Sequence, residues 1–320
     1  MIIQRMTTPQ FPHSTDMSPL HGVAQLTHLG IIKIEGEDAA KFIHGQLTQD
    51  FSLLDLHTAR LAAFCSPKGR VLASFIGFKR SPDEILLVCS RDLLAATLKR
   101  LSMFVLRAKA RLQDASDLFV IYGLAGDAIK PIAQGVALTR ATGEFDEGVL
   151  VNLDPANGTL RQLYVAPAGA SAPSGASLSL ETWQWGEVQS GVATVSSAVV
   201  DAYVPQMLNY ESVGAVNFKK GCYPGQEVVA RSQFRGTLKR RAALAHAEVA
   251  MAPGDEIFAA ADDSQPVATV VQAAPAPTGG FDAIISGQVS ALEGSALHLK
   301  TSDGAALRLL PLPYSLLDDI

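Results

Sequence analysis

Apolar positions along the chain switch between two periods. Leu29-Gly-Ile-Ile-Lys-Ile34 reads as a short strand, and Gly36-Glu-Asp then opens a helix with Ala39, Phe42, Ile43 and Leu47 on its apolar face. Apolar runs at Arg60 to Cys65 and Val71 to Phe78 flank Ser66-Pro-Lys-Gly69, which predicts a β-hairpin. Ser81-Pro-Asp leads into a third strand at Ile85 to Cys89. From Arg91 to Phe104, Leu93, Leu94, Thr97, Leu98 and Leu101 recur at intervals of three and four, the signature of an amphipathic helix. Further strands are expected near Leu118 to Gly123, Val149 to Asn152 and Arg161 to Val165, with a helix at Asp127 to Gln134.

In a helix predicted over Leu178 to Val192, Leu178, Trp185, Val188 and Val192 share one stripe, whereas Trp183 lies off it. Trp185 is therefore expected in the core, and Trp183 free to meet a ligand. The small residues of Pro167 to Ser177 cannot pack a core and read as an exposed connection. Beyond about Leu238 the helix period vanishes and short apolar runs are separated by turn residues, predicting a small β-barrel or sandwich. The fold class is α+β with antiparallel hairpins, with a leader at 1–20 and a small barrel or sandwich over 238–320.

Composition narrows the function. With 320 residues, 48% of them hydrophobic, the chain buries a sizeable core, and its net charge of −5 argues against a protein that coats nucleic acid with its whole surface. The three cysteines, Cys65, Cys89 and Cys222, form no C-x-x-C pair and no metal-ligand set, and they are too few for a four-thiolate cluster within one chain. The seven histidines are singletons, each read as an ordinary surface or core residue. Met1 to Pro19 lacks an apolar signal region and no run reaches bilayer length, so a cytoplasmic, reducing location and no membrane partner are expected.

The chemistry concentrates in Asn217-Phe-Lys-Lys-Gly-Cys-Tyr-Pro-Gly-Gln-Glu227 and its continuation to Gly236. Pro224 suits a first helical turn and Gln226 could reach back to an orphaned amide, so Cys222 is placed just before a helix N-terminus with Lys219 and Lys220 beside it. Such an environment activates a thiol and attracts anions. From Lys219 to Arg241 seven basic residues face one acid, Glu227, and Arg231 and Arg235 are spaced to share a helix face next to Phe234. The plain alternative is a capping loop followed by a solvated basic face.

Lys220-Gly-Cys-Tyr-Pro-Gly-Gln-Glu227, with Ala230-Arg231 and Phe234-Arg235-Gly236, resembles the signature of the YgfZ family of folate-binding proteins, relatives of the aminomethyltransferase of the glycine cleavage system. The likeness extends to Tyr203-Val-Pro-Gln206, Asn209, His44-Gly-Gln-Leu-Thr-Gln-Asp50 and Pro311-Leu-Pro-Tyr-Ser-Leu316. It implies an aminomethyltransferase-like fold, two interwoven α+β domains over 21–237 and a C-terminal barrel over 238–320 arranged around a central folate cavity. It also implies tetrahydrofolate or a one-carbon derivative as cofactor, iron–sulfur proteins or their assembly factors as partners, and an indirect link to tRNA. Cys222 and Lys220 are its reactive pair, and Trp183, Leu29, Tyr223, Gln226, Glu227, Arg231 and Arg235 its folate contacts.

Three departures bear on chemistry. Leu29 stands where the family has a second tryptophan, Ala73 and Ser74 stand where aminomethyltransferases carry an acidic pair, and Gln189-Ser-Gly191 replaces Glu-Ala-Gly. Without the pair there is no obvious general base for methylene transfer. The expected role is thus a folate-binding factor for iron–sulfur cluster assembly or repair that serves tRNA-modifying enzymes among others. A one-carbon transferase and a direct tRNA binder are the alternatives.

Overall fold

A computed structural model describes residues 19–136, 138–234, 238–260 and 264–317. Arg235 and nearly all of the leader lie outside the described residues. Two five-stranded antiparallel sheets and a closed six-stranded barrel make up the fold. The first sheet contains β1 (Gly22–Gln25), β7 (Phe119–Ala125), β10 (Arg161–Pro167), β9 (Gly148–Asn152) and β8 (Thr142–Phe145), in that order. The second contains β3 (Ala59–Cys65), β4 (Val71–Ser81), β5 (Glu84–Ser90), β2 (Leu29–Glu35) and β6 (Arg111–Asp114).

The sheets are interwoven because β1 pairs with β7 while β2, only a few residues later, pairs with β5. The crossover places His28 and Leu29 between the two sheets. The Ser66–Gly69 turn closes the β3–β4 hairpin, with Ser66 N–H donating to the Arg70 carbonyl at 2.8 Å. Helix α1 (Ala39–His44) and helix α2 (Arg91–Ser102) cover the outer face of the second sheet, burying Phe42, Ile43, Leu94 and Leu101. Among the predicted apolar positions of α2, Leu93, Leu94, Thr97 and Leu101 are buried.

Helix α3 (Leu180–Gln189) begins where the Ser179 hydroxyl accepts the Thr182 N–H at 3.1 Å, an N-cap. It lies in the main core, which joins the inner faces of both sheets to the barrel through Ile31, Leu61, Ile121, Val151, Leu244 and Ile284 among others. Helix α4 (Gln226–Phe234) follows, and then the barrel: β11 (Arg240–Ala247), β12 (Glu256–Ala259), β13 (Ala268–Pro275), β14 (Phe281–Gln288), the short α5 (Val289–Gly294), β15 (Leu297–Leu299) and β16 (Ala306–Leu310).

Three expectations need correction. The helix predicted at Asp127 to Gln134 is a single 3-10 turn, Gly126–Ala128, because Pro131 supplies no backbone donor and disfavours helical geometry at Lys130. The small-residue stretch is more than an exposed connection: its end bonds to β1, with Val23 N–H donating to Ala176 O at 2.8 Å and Leu178 N–H to Val23 O at 2.9 Å. Trp183 is not free at the surface. At 0% exposure it is more deeply buried than Trp185, because the core surrounds α3 rather than lying along one stripe.

Candidate functional site

The crossover, α3, the Ser190–Thr194 segment and both sheets enclose a narrow cleft of about 60 Å³. Its apolar walls include Leu29, Leu61, Ile76, Val88, Leu163 and Val192, and its polar lining includes Ser74, Arg140, Asp154, Arg161 and Glu187. Leu29 also lines a neighbouring cleft of about 380 Å³ together with Arg91, Phe119 and Tyr122.

Glu187 is the hub of the polar lining. Its Oε1 accepts from Trp183 Nε1 at 2.9 Å and from His28 Nε2 at 2.9 Å, and its Oε2 accepts from Gln272 Nε2 at 3.2 Å. Burial alone would lower the His28 pKa, but the charge and hydrogen bond of Glu187 outweigh it, so the imidazole lies above its ordinary value. Arg161, at the start of β10, has its guanidinium 5.3 Å from the Trp183 ring centroid. Its Nε and Nη2 donate to the Asp154 carbonyl at 3.2 and 3.0 Å, while the Asp154 carboxylate pairs with Arg140. Burial pulls the Arg161 guanidinium down to about 10. Its Nη1 is buried with no hydrogen-bond partner among the described residues.

Sequence reasoning missed His28, Asp154, Arg161 and Glu187 as a group. His28 and Glu187 stand far apart in the chain and belong to no motif. Of the two hairpin positions that carry an acidic pair in aminomethyltransferases, Ala73 is buried in the opposite core, while Ser74 lines the cleft and its Oγ accepts the Val195 N–H at 3.0 Å. Gln189 ties α3 to the barrel: its Nε2 and Trp185 Nε1 both donate to Asp282 Oδ2, at 2.8 and 2.7 Å. A glutamate there would oppose Asp282, so the amide is what this contact requires.

The Lys220–Glu227 segment lies elsewhere, and none of its residues lines either cleft. Lys220 is buried, with Nζ donating to the carbonyls of His44 and, at 2.7 Å, of Leu47, and lying 4.7 Å from the Tyr223 ring centroid. Burial pulls its ammonium down to about 8 against the charges of Asp50 and Cys222. Tyr223 is buried, and burial raises its hydroxyl pKa. Cys222 is exposed.

The expectation that Cys222 immediately precedes a helix is corrected, since α4 starts at Gln226. Pro224 and Gly225 form a turn first. Gly225 has φ +81, and a Cβ there would stand 2.4 Å from the Ser66 carbonyl, so only glycine lets the segment press against the hairpin tip. Glu227 and Arg231 border a separate surface hollow with Ala230 and Phe234. The basic residues form no continuous strip, because Lys220 is buried and Arg241 Nη1 donates to the buried Glu211 at 2.8 Å. The β3–β4 hairpin links the two regions, with Ser74 in the cleft and Gly69 against Gly225.

Two sheets, a barrel and a central cleft in this arrangement define an aminomethyltransferase-like fold. Aminomethyltransferase T of the glycine cleavage system from Bartonella henselae superposes with a TM-score of 0.72 over 93% of this chain and 87% of that one, at 16% identity, a likeness of fold. No protein-family model matches the chain. An uncharacterized protein of Haemophilus influenzae is 30% identical over 216 residues, spanning 67% of this chain and 70% of that protein. The tRNA-modifying protein YgfZ of Enterobacter sp. strain 638 is 27% identical over 326 residues, 96% of this chain and 97% of that protein. The chain belongs to the YgfZ family.

Among the described residues no helix is long and apolar enough to cross a membrane, and no group of three or more His, Cys, Asp or Glu is placed to hold a metal ion.

Proposed function

We propose that the protein binds tetrahydrofolate or a one-carbon derivative in the central cleft and, so loaded, supports the assembly or repair of iron–sulfur clusters in client enzymes. The observation that carries the folate reading is the buried, charge-balanced lining, in which Arg161 Nη1 is left without a partner among the described residues. A flat heteroaromatic ring suits the apolar walls at Leu29, Leu61 and Leu163, and its polar edge suits one unspent donor flanked by carboxylates. Buried donors are normally satisfied, so an orphan in a cleft favours a ligand acceptor. Trp183 supports the site from behind, through Arg161 and Glu187, rather than as a stacking face.

The iron–sulfur reading rests on the family and on the exposed Cys222. Its partners are iron–sulfur proteins or their assembly factors in the cytoplasm, and its link to tRNA is indirect, through modifying enzymes that need such clusters. Calorimetry with tetrahydrofolate under reducing conditions tests the first part, and absence of binding refutes it. Deletion of the gene with assay of iron–sulfur enzymes, and rescue by wild type or Cys222→Ala, tests the second.

One observation favours a second reading, folate-dependent one-carbon transfer. Glu187 and Asp154 bring carboxylates to the cleft that the hairpin lacks. Steady production of methylenetetrahydrofolate by the purified protein in a reconstituted glycine cleavage reaction would establish it.

A further inference from the structure

We propose that Arg161 is the specificity-determining residue of the cleft, its Nη1 donating to the 4-oxo oxygen of the pteridine ring; the inference rests on the folate reading. Three observations carry it.

The first is the donor itself. A guanidinium has five N–H donors, and here those on Nε and Nη2 are directed to one carbonyl, that of Asp154. The Nη1 donors are buried in a side chain that lines the cleft and is only 5% exposed. Their proposed counterpart is an acceptor atom brought by the ligand.

The second is charge balance. Arg161 and Arg140 face Glu187 and Asp154 across the same lining, two cations against two carboxylates. A ligand carboxylate entering this end would lose its hydration and meet both acidic side chains. A neutral acceptor such as a ring carbonyl carries a far smaller desolvation cost. The glutamate tail of folate therefore belongs toward the mouth, and the ring toward Arg161.

The third is the order of donors and acceptors. An N–H donor beside carboxylates is the complement of an amide-like edge, a C=O adjacent to N–H. The pteridine of tetrahydrofolate presents that edge at its 4-oxo and neighbouring N3–H. A 4-amino pteridine presents an N–H donor at the same carbon, opposing donor to donor. Sites built to hydrogen-bond one group discriminate strongly against an analogue that leaves the buried partner unpaired.

The test compares tetrahydrofolate with the same molecule bearing a 4-amino group, by calorimetry on the purified full-length protein. Wild type is expected to bind the 4-oxo compound on the order of tenfold or more tightly than the 4-amino compound. Arg161→Met, checked for folding by circular dichroism, is expected to bring the two within about threefold of each other. Equal affinities in wild type, or an undiminished preference in a folded Arg161→Met, overturn the assignment while the folate reading stands. Failure of both compounds to bind wild type overturns the folate reading and this inference with it. If Arg161→Met does not fold, wild-type binding of the compound with hydrogen at that carbon decides: a loss on the order of tenfold supports the assignment, and equal affinity overturns it.

Discussion

Trp183 and Glu187, one turn apart on α3, are joined by an indole N–H that donates to the carboxylate at 2.9 Å. The same carboxylate lines the cleft, so a fully buried indole is wired to a cleft it does not line. Binding of tetrahydrofolate should therefore change tryptophan fluorescence mainly through Trp183. The change should be largely lost in Trp183→Phe and retained in Trp185→Phe, whose indole is bound to Asp282 instead. The reverse pattern would place the ligand on the barrel side of α3.

The His28–Glu187 pair makes a pH prediction with a definite sign. Glu187 raises the folded-state pKa of His28 above its ordinary value of about 6.5, so the native chain holds this proton more tightly than the unfolded chain. The pair's stabilisation is complete below that value and is lost as pH climbs through the raised one. Thermal midpoints of wild type and Glu187→Gln are expected to differ most near pH 6, about the lower end of histidine titration, and to converge toward pH 8. A gap that widens with pH would mean that another group sets the effect.

Gly123 lies in β7 beneath the Trp183 ring, where an added Cβ would stand 2.6 Å from three ring atoms. The indole is held by Glu187 and covered by Arg161, so it cannot give way easily. Gly123→Ala should destabilise by about 1–3 kcal/mol, the usual range for overpacking. Gly294→Ala is the control, since a Cβ there meets nothing within 4 Å. Urea midpoints measure both.

How much of this was legible in the sequence depended on locality. The strands of the second sheet follow from uninterrupted apolar runs, and α2 from spacing alone, because each element buries one continuous face. Edge strands β1, β6 and β8 escaped notice because four residues each carry too little pattern. The cleft was harder still. Its lining is drawn from the crossover, β3, β4 and β5 of the second sheet, β10 of the first with the loop residues Arg140, Leu153 and Asp154, and α3, and nothing local connects His28 with Glu187, 159 residues apart. Trp183 was misplaced because an amphipathic stripe presumes one dry side, whereas α3 has the sheets on one side and the barrel on the other. Lys220 stands in the sequence beside Cys222 as one of a reactive pair, and only the fold shows that its ammonium is bonded to the carbonyls of His44 and Leu47.

That anchoring gives Lys220 a measurable structural weight. Lys220→Met keeps an apolar stem but removes the ammonium that lies over the Tyr223 ring and donates to the carbonyls of His44 and Leu47. The expected loss is about 1–3 kcal/mol, the cost of leaving buried acceptors without their partner. Faster hydrogen exchange should appear at the end of α1 and in the Gly221–Gly225 segment before anywhere else. Unchanged stability would show that the carbonyls find water readily, and that Lys220 has its importance in chemistry alone.

Cys222 differs from the other two thiols in being accessible. Cys65 and Cys89 are buried in strands of the second sheet, and burial pushes both up to about 12, so near neutral pH they present neither a thiolate nor a path to reagent. One equivalent of iodoacetamide near neutral pH should therefore label Cys222 first, as read by peptide mass spectrometry. Cys222 lines neither cleft. Because preformed ligand sites move little on binding, saturating tetrahydrofolate should leave its rate within about twofold. Strong protection would instead place thiol and ligand together, or show that the β3–β4 hairpin, which reaches from Ser74 to Gly69 beside Gly225, moves when the cleft fills. Cys222→Ala removes an exposed atom and should stay within about 0.5 kcal/mol of wild-type stability. If that folded variant also restores full activity to iron–sulfur enzymes in a deletion strain, the thiol carries no function and the maintenance role must rest on the folate cleft alone.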